Sequence, residues 1–396
     1  MNGQWHLSSS FERWLYGIAA AGFLTLATGL FLSPQRALGS LLMAGFGLMC
    51  LGLAGILFVA ILYASGAAWG TAFRRVPEAM SAILPYGAAV LAVVFLFGSS
   101  LYPWIHNRGE MTGFKAVWLN FPFFLTRAVL YVALWLLFTR AILKTSRLQD
   151  DTRDPAARRS NAKLSVIFLV VFGITFCLAS FDWVMSLEPH WSSTIFGIYN
   201  FAGLFSSGLA VIVLLVVWMR RVGPLRDFVT DEHLHDLGKL LFAFTTFWMY
   251  IWFSQYMLIW YADIPEETVH YIGRQHQYWM PLFILNLLLN WAVPFVVLLP
   301  KRTKRTGGLL AKVAVVVLLG RWLDLYLMIE PATGGSNPQF GPWEVAAIAG
   351  TFALFILVFA RAMGSAPPVP LGDPFLAESL HYHNSLLSGY NSNRIN

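Results

Sequence analysis

Long runs almost free of charge, broken by short polar clusters, fill the chain between residues 13 and 363. A helix rising about 1.5 Å per residue needs roughly 20 apolar residues to cross a hydrocarbon core about 30 Å thick. The pattern predicts ten spanning helices, over 13–32, 41–64, 81–102, 121–143, 163–186, 194–219, 238–261, 279–299, 309–329 and 343–363. The first lies in FERWLYGIAAAGFLTLATGLFL, which is too long for a cleaved signal and has no basic segment before it, so it is expected to stay in the membrane. With 57% hydrophobic and 12% charged residues, the chain carries about half the charge of a soluble domain. It is an all-α integral membrane protein by composition.

Basic residues between spans set the expected orientation, because cytoplasmic loops hold the excess of Lys and Arg. Of the 27 basic residues, Arg36, Arg108, Lys115 and Arg274 are the ones in the loops opposite the termini, and Arg127 and Arg321 lie inside spans. Both termini and the tail 364–396 are therefore expected in the cytoplasm. The formal net charge of +7 belongs to this rim, where it meets anionic lipid, and does not point to nucleic acid. The opposite loops carry Glu110, Glu188, Asp263, Glu266, Glu267 and Glu330 beside Trp104, Trp191, Trp260 and Trp279, which read as an interfacial aromatic belt.

Cys50 and Cys177 fall inside spans without any CxxC or CxxCH pattern, and the nine histidines, His383 among them, sit in loops, tails or span edges. Neither an iron–sulfur ligand set nor a haem ligand pair within the bilayer can be read from such positions. No redox metal is expected in this chain.

The chemistry that remains is the set of ionisable residues inside the membrane: Arg127, Asp182, Arg321 and Asp324. Each costs about 2.5 to 3.5 kcal/mol at a helix centre and so calls for a partner or a function. FDWVMSLEPHW and LDLYLMIEPAT share an Asp six residues before Glu-Pro, which places Asp182 and Asp324 at one depth, about 9 Å below the outer face. Arg127 enters from that face six residues into the fourth span, so an Arg127–Asp182 pair is expected. Arg321 lies three residues before Asp324 on one helical face, with Asn286 at similar depth and Asn290 deeper on the preceding span. Pro189 and Pro331 are expected to end their helices.

Four spans separate the two fragments, so their helices run in the same direction. Spans two to five (41–186) and six to nine (194–329) then form two parallel copies of a four-helix bundle, flanked by spans one and ten. At the basic end, TDEHLHDLGK opens the seventh span. Its Asp231, Glu232, His233, His235 and Asp236 read either as cap and first-turn chemistry or as a proton entry site. The entry reading continues through Thr245, Thr246, Tyr250 and Gln255, with Ser206 and Ser207 alongside.

SFDWVMSLEPHWSSTIFGIYNFAG, FSQYMLIWYADIPEET, LNFPFFLTRAVLY and DEHLHDLGKLLFAF resemble the ActF subunits of alternative complex III, a bacterial quinol:electron-acceptor oxidoreductase, over essentially all ten spans. The resemblance implies an NrfD-like fold of two four-helix bundles with flanking helices, in the bacterial inner membrane. It implies partners: an iron–sulfur subunit of the molybdopterin type, an NrfD-like paralogue (ActC), c-type haem subunits, small membrane subunits and lipids. Haem and iron–sulfur clusters would belong to those partners. A quinone, menaquinone or ubiquinone, is the one cofactor implied near this chain, with Arg127, Asp182, Glu188 and His190 as the residues that could meet its headgroup. The catalytic quinol site is expected in ActC, which leaves this subunit a proton path, an assembly surface or a second quinone pocket. An ion-coupled transporter and a purely structural scaffold stay open as alternatives.

Overall fold

The computed structural model describes residues 5–107, 109, 111–276, 278–333 and 337–382. Arg108 and Glu110, like residues 383–396 of the predicted tail, lie outside the described residues. Regular structure among the described residues is entirely helical: α1 (Ser9–Leu32), α2 (Pro34–Ala64), α3 (Arg75–Met80), α4 (Leu84–Leu96), α5 (Gly113–Trp118), α6 (Phe121–Thr152), α7 (Pro155–Trp183), α8 (Phe196–Val222), α9 (Asp231–Ala262), α10 (Pro265–Gln275), α11 (Met280–Leu287), α12 (Val293–Leu298), α13 (Lys301–Arg305), α14 (Gly307–Thr333), α15 (Pro342–Met363) and α16 (Leu376–Leu380). Proline opens α2, α4, α6, α10, α11, α12 and α15, where its missing N–H would be unpaired in any case.

Eight segments among the described residues are long and apolar enough to cross a membrane. They are α1, α2, Thr71–Leu96, α6, α7, α8, Met280–Leu298 and α15, so this is a multi-pass membrane protein. Helices α9 and α14, at 32 and 27 residues, are long enough but more polar, and α14 carries Lys312, Arg321, Asp324 and Glu330. The third segment, Thr71–Leu96, is centred about two turns nearer the basic end than the predicted 81–102. Arg74 and Arg75 share Glu78 and pair further with Asp373 and Asp150, and can therefore be buried in it.

Helices α2 and α8 are buried nearly all round and form the centre. Around α2 pack α4, α7, α8, α14 and α15, and around α8 pack α9 and α14, while α6 lies on α7. Helix α1 sits against α15 through Gly22 and Gly350, where a Cβ on Gly22 would come within 2.8 Å of the Gly350 Cα. Small residues let helices approach this closely in lipid, where apolar burial gives no drive.

The basic end is closed by ion pairs. Arg74 bonds Glu78 at 3.1 Å and Asp373 at 2.5 Å, Arg158 bonds Asp373 at 3.0 Å, and Arg75 pairs with Glu78 and Asp150. Asp373 and Ser379 thereby strap the first part of the tail to the bundle, Ser379 Oγ donating to the Trp69 carbonyl and accepting from the Ala72 N–H.

Two sequence expectations are corrected. Pro331 lies inside α14, which runs on to Thr333. Of the four tryptophans read as a belt, Trp260 is exposed on the surface, whereas Trp104, Trp191 and Trp279 are buried and pack between elements.

Candidate functional site

Asp182 closes the last turn of α7 and is fully buried. Its Oδ2 accepts from Arg127 Nε at 2.8 Å and from Tyr131 OH at 3.1 Å, and its Oδ1 from Arg127 Nη2 and Trp118 Nε1, both at 2.8 Å. The Arg127 guanidinium is clamped between Trp118 and Phe123, with Cζ 4.0 and 4.3 Å from the ring centroids. The Arg127–Asp182 pair expected from equal depth is formed.

Asp324, also fully buried, is held the same way by other helices. Its Oδ2 accepts from Arg321 Nη1 at 2.6 Å and Trp248 Nε1 at 3.3 Å, and its Oδ1 from Tyr199 OH and from Asn286 Nδ2 at 3.2 Å. Arg321 also donates to Asn200 Oδ1 at 3.2 Å. Each carboxylate thus accepts from one tyrosine, one tryptophan and an arginine. Asn286 stands five residues after Pro281, as Arg127 stands five after Pro122. The cation stands on the helix preceding the aspartate in the first cluster and on the aspartate's own helix in the second, where an amide takes the position that corresponds to Arg127. Asn290 supports Asn286 through Nδ2 to Oδ1 at 2.7 Å from a π-helical segment, Leu288–Ala292. There Pro294 has no N–H to offer the Asn290 carbonyl.

With four donors apiece, neither aspartate has a free lone pair. Either must release one of these bonds before it can take a proton or another ligand. The four residues expected around a quinone headgroup do not fit one as a group. Glu188 and His190 line a separate cleft of about 660 Å³ with Pro265, Val269 and Arg274, to which neither Arg127 nor Asp182 contributes.

In that outer cleft the sequence reading missed the partners. Glu188 accepts from His270 Nδ1 at 2.7 Å and Arg274 Nη2 at 2.6 Å, and Trp191 stacks on the His270 ring at 3.8 Å. Arg274 Nε also donates to the Leu327 carbonyl at 2.7 Å, which the missing N–H of Pro331 leaves without its helical partner. The spacing of His270, Tyr271 and Arg274 on the short α10 was the signal, a buried polar stripe on a helix that begins with Glu266 and Glu267 and exposes Val269 and Ile272. Burial pushes the Glu188 carboxyl up, but Arg274 and His270 reverse this and hold it well below the usual carboxylate range. Burial, then Arg274, pushes the His270 imidazole down to about 4 against the pull of Glu188.

A pH dependence follows from these directions. Unfolded His270 takes up a proton below its ordinary 6.5, whereas the folded ring stays neutral to about 4, so stability falls as pH drops through that window. The slope is about 1.4 kcal/mol per pH unit from this one group. The contribution of Glu188, present above its ordinary 4.5, is lost below it. Thermal unfolding in detergent from pH 7.5 to 4.5 should show a falling midpoint that flattens in His270→Gln. An unchanged slope in that variant would refute the assignment.

At the basic end, the predicted entry residues are mostly paired. Asp231 bonds Arg220 at 2.6 Å, Glu232 pairs with Arg305 and Asp236 with Lys239. His233 is buried and accepts the Thr230 N–H at 3.0 Å through Nδ1, an N-terminal cap, while His235 is buried beside Asp236. On α9, Thr245 and Gln255 are buried, but Tyr250 is 64% exposed on the opposite, outward face. Tyr250 therefore does not belong to an interior path. A lipid-facing helix side is hard to tell from a buried one when both are apolar.

The interface of α6 and α7 holds a polar seam that was not foreseen. Gln149, Asn161, Ser165 and Thr139 are buried there from the basic end inward; Asn161 faces the Tyr63 hydroxyl of α2, and the side-chain polar atoms of Gln149, Ser165 and Thr139 have no protein partner. Beyond them Trp135 Nε1 bonds Thr175 Oγ1 at 2.9 Å, and one helical turn further Tyr131 reaches Asp182. No protein-family model matches this chain, and no curated protein matches it.

Proposed function

We propose that the chain is the metal-free membrane subunit of a bacterial quinol:electron-acceptor oxidoreductase similar to alternative complex III. Its role there is to carry protons between the basic, cytoplasmic end and Asp182. The carrying observation is the α6–α7 seam: buried amides and hydroxyls with unpaired polar atoms, ending at a carboxylate paired to an arginine. Polar groups in such a seam are satisfied by water, which would complete a hydrogen-bonded file to Asp182. Electrons stay in the partners' haem and iron–sulfur centres. The two aspartate clusters support the reading of two parallel NrfD-like bundles within ten spans, with α9 and α14 as the seventh and ninth. Among the described residues no comparable run of unpartnered buried amides and hydroxyls leads from the basic end to Asp324, which favours the first bundle as the proton-handling copy.

Proton release requires that Asp182 exchange a donor bond for a proton when the neighbouring redox subunit changes state. In proteoliposomes holding the whole complex, Asp182→Asn is expected to lower proton release at least tenfold relative to quinol oxidation, and Asn161→Leu to slow both. Asp324→Asn should have the smaller effect. Unchanged proton release in Asp182→Asn would end the proposal.

The saturated bonding of both aspartates favours a second reading, an ion pair that only fixes bundle geometry. Swapping the pair, Arg127→Asp with Asp182→Arg, separates the two. A scaffold should keep its activity, whereas a proton carrier should lose it.

A further inference from the structure

A second feature lies away from both the seam and the outer cleft. Between α2, α8, α14 and α15 is a cavity of about 430 Å³ with apolar walls, well within the size range of sites for small amphiphiles. Ile348 and Phe352 at its rim are exposed on the apolar surface, so it communicates with the bilayer. Two lining residues bring buried N–H groups without a nitrogen or oxygen acceptor, Arg321 Nε and Trp322 Nε1, and the one polar group the cavity sets against the Arg321 guanidinium is the Cys50 thiol, a weak acceptor. Arg321 is 4% exposed, and a buried donor without an acceptor costs roughly 1 to 3 kcal/mol.

The charge of Arg321 is already balanced. Nη1 bonds Asp324 and Nη2 bonds Asn200, so Nε is the guanidinium nitrogen that makes no hydrogen bond. An anionic headgroup would add a second negative charge beside Asp324 with no second cation, in a site ten residues, or about 15 Å, below Pro331 on α14. A phosphate is disfavoured on both counts. An uncharged carbonyl on a long apolar chain meets every condition: it accepts from Nε, adds no charge, and lays its chain along Leu214, Phe355 and Ile356.

We infer that this cavity binds a neutral, lipid-soluble carbonyl compound whose carbonyl oxygen accepts from Arg321 and whose chain enters between α15 and α2. The site stands on its own geometry and does not depend on the proton-carrying reading. Two sources share this chemistry, a quinone and a glyceride ester, and the probes separate them.

The full chain in detergent is incubated with decylubiquinone, monoolein or decylbenzene, and the bound fraction is read by native mass spectrometry. One equivalent of a carbonyl probe should be retained at least tenfold better than decylbenzene. Decylubiquinone ahead of monoolein assigns a quinone-type head, and the reverse order a glyceride. Gly47→Leu grows into the cavity, since a Cβ there meets only Leu325 at 3.8 Å, and should reduce retention tenfold or more. Thr351→Phe replaces it should that variant not be recovered folded. Arg321→Lys keeps a cation opposite Asp324 but loses the Nε donor, and should erase the preference for carbonyl probes. Equal retention of all three probes, retention of none, or binding unaffected by the filling variant would overturn the inference. Asp182→Asn should leave the probe binding unchanged, so failure here is distinct from failure of the proton path.

Discussion

Arg127→Met is expected to destabilise the protein by about 3 to 5 kcal/mol, read as a lower unfolding midpoint in detergent, because it strands a fully buried carboxylate. Asp182 would keep only Trp118 and Tyr131 as donors, and Trp118 and Phe123 would lose the guanidinium they enclose. Removing the partner charge as well should undo most of the damage, since two apolar side chains in place of a buried ion pair are often neutral or stabilising. Arg127→Met with Asp182→Leu is therefore expected within about 1.5 kcal/mol of the parent. A single variant that unfolds like the parent would show that the pair is not held as described. A double variant no better than the single would show that the other two donors, not the lost charge, dominate.

That pair was legible in the sequence because depth can be counted. Arg127 and Asp182 lie six residues from the same face on adjacent antiparallel helices, and Arg321 and Asp324 are three apart on one helix. Counting cannot say which face of an apolar helix is turned inward, because lipid accepts the same residues as the core. Tyr250 and Tyr199 look alike in sequence, yet one faces outward and the other donates to Asp324. The aromatic donors Trp118, Tyr131 and Trp248 were hidden among many, in a chain that is 16% aromatic. Glu188 was seen as half of a Glu-Pro exit signal, but its partner Arg274 lies 86 residues away on a helix too short to be read as a span. The seam from Gln149 to Thr175 was not legible because Gln149 and Asn161 fall in the predicted loop between spans, which α6 and α7 in fact fill with helix, while isolated Ser and Thr in spans are usually helix-packing groups.

The second bundle offers a sharper test, because the expected sign opposes the usual one. Gly→Ala inside a helix normally stabilises by roughly 0.5 to 1 kcal/mol, through backbone entropy alone. At Gly203 on α8 the added Cβ would overlap the Arg321 guanidinium, coming within 2.5 Å of Cζ and 3.0 Å of Nε. The guanidinium can give way only toward the cavity it lines, and that shift breaks the bonds by which Nη1 holds Asp324 and Nη2 holds Asn200. Asp324 would then stay buried with only neutral donors from Tyr199, Trp248 and Asn286, and a buried charge stripped of its partner costs about 3 to 5 kcal/mol. Gly203→Ala should lower the unfolding midpoint by an amount close to that of Arg127→Met. Gly173→Ala, on the exposed face of α7 with no atom within 4 Å of the new Cβ, should raise it slightly. If both glycine variants shift the midpoint upward, Arg321 does not pass over Gly203, and the Asp324 cluster must be anchored through α9 and α11 instead. If Gly203→Ala falls as expected, the glycine is the space that allows the second bundle to carry its arginine on the aspartate's own helix.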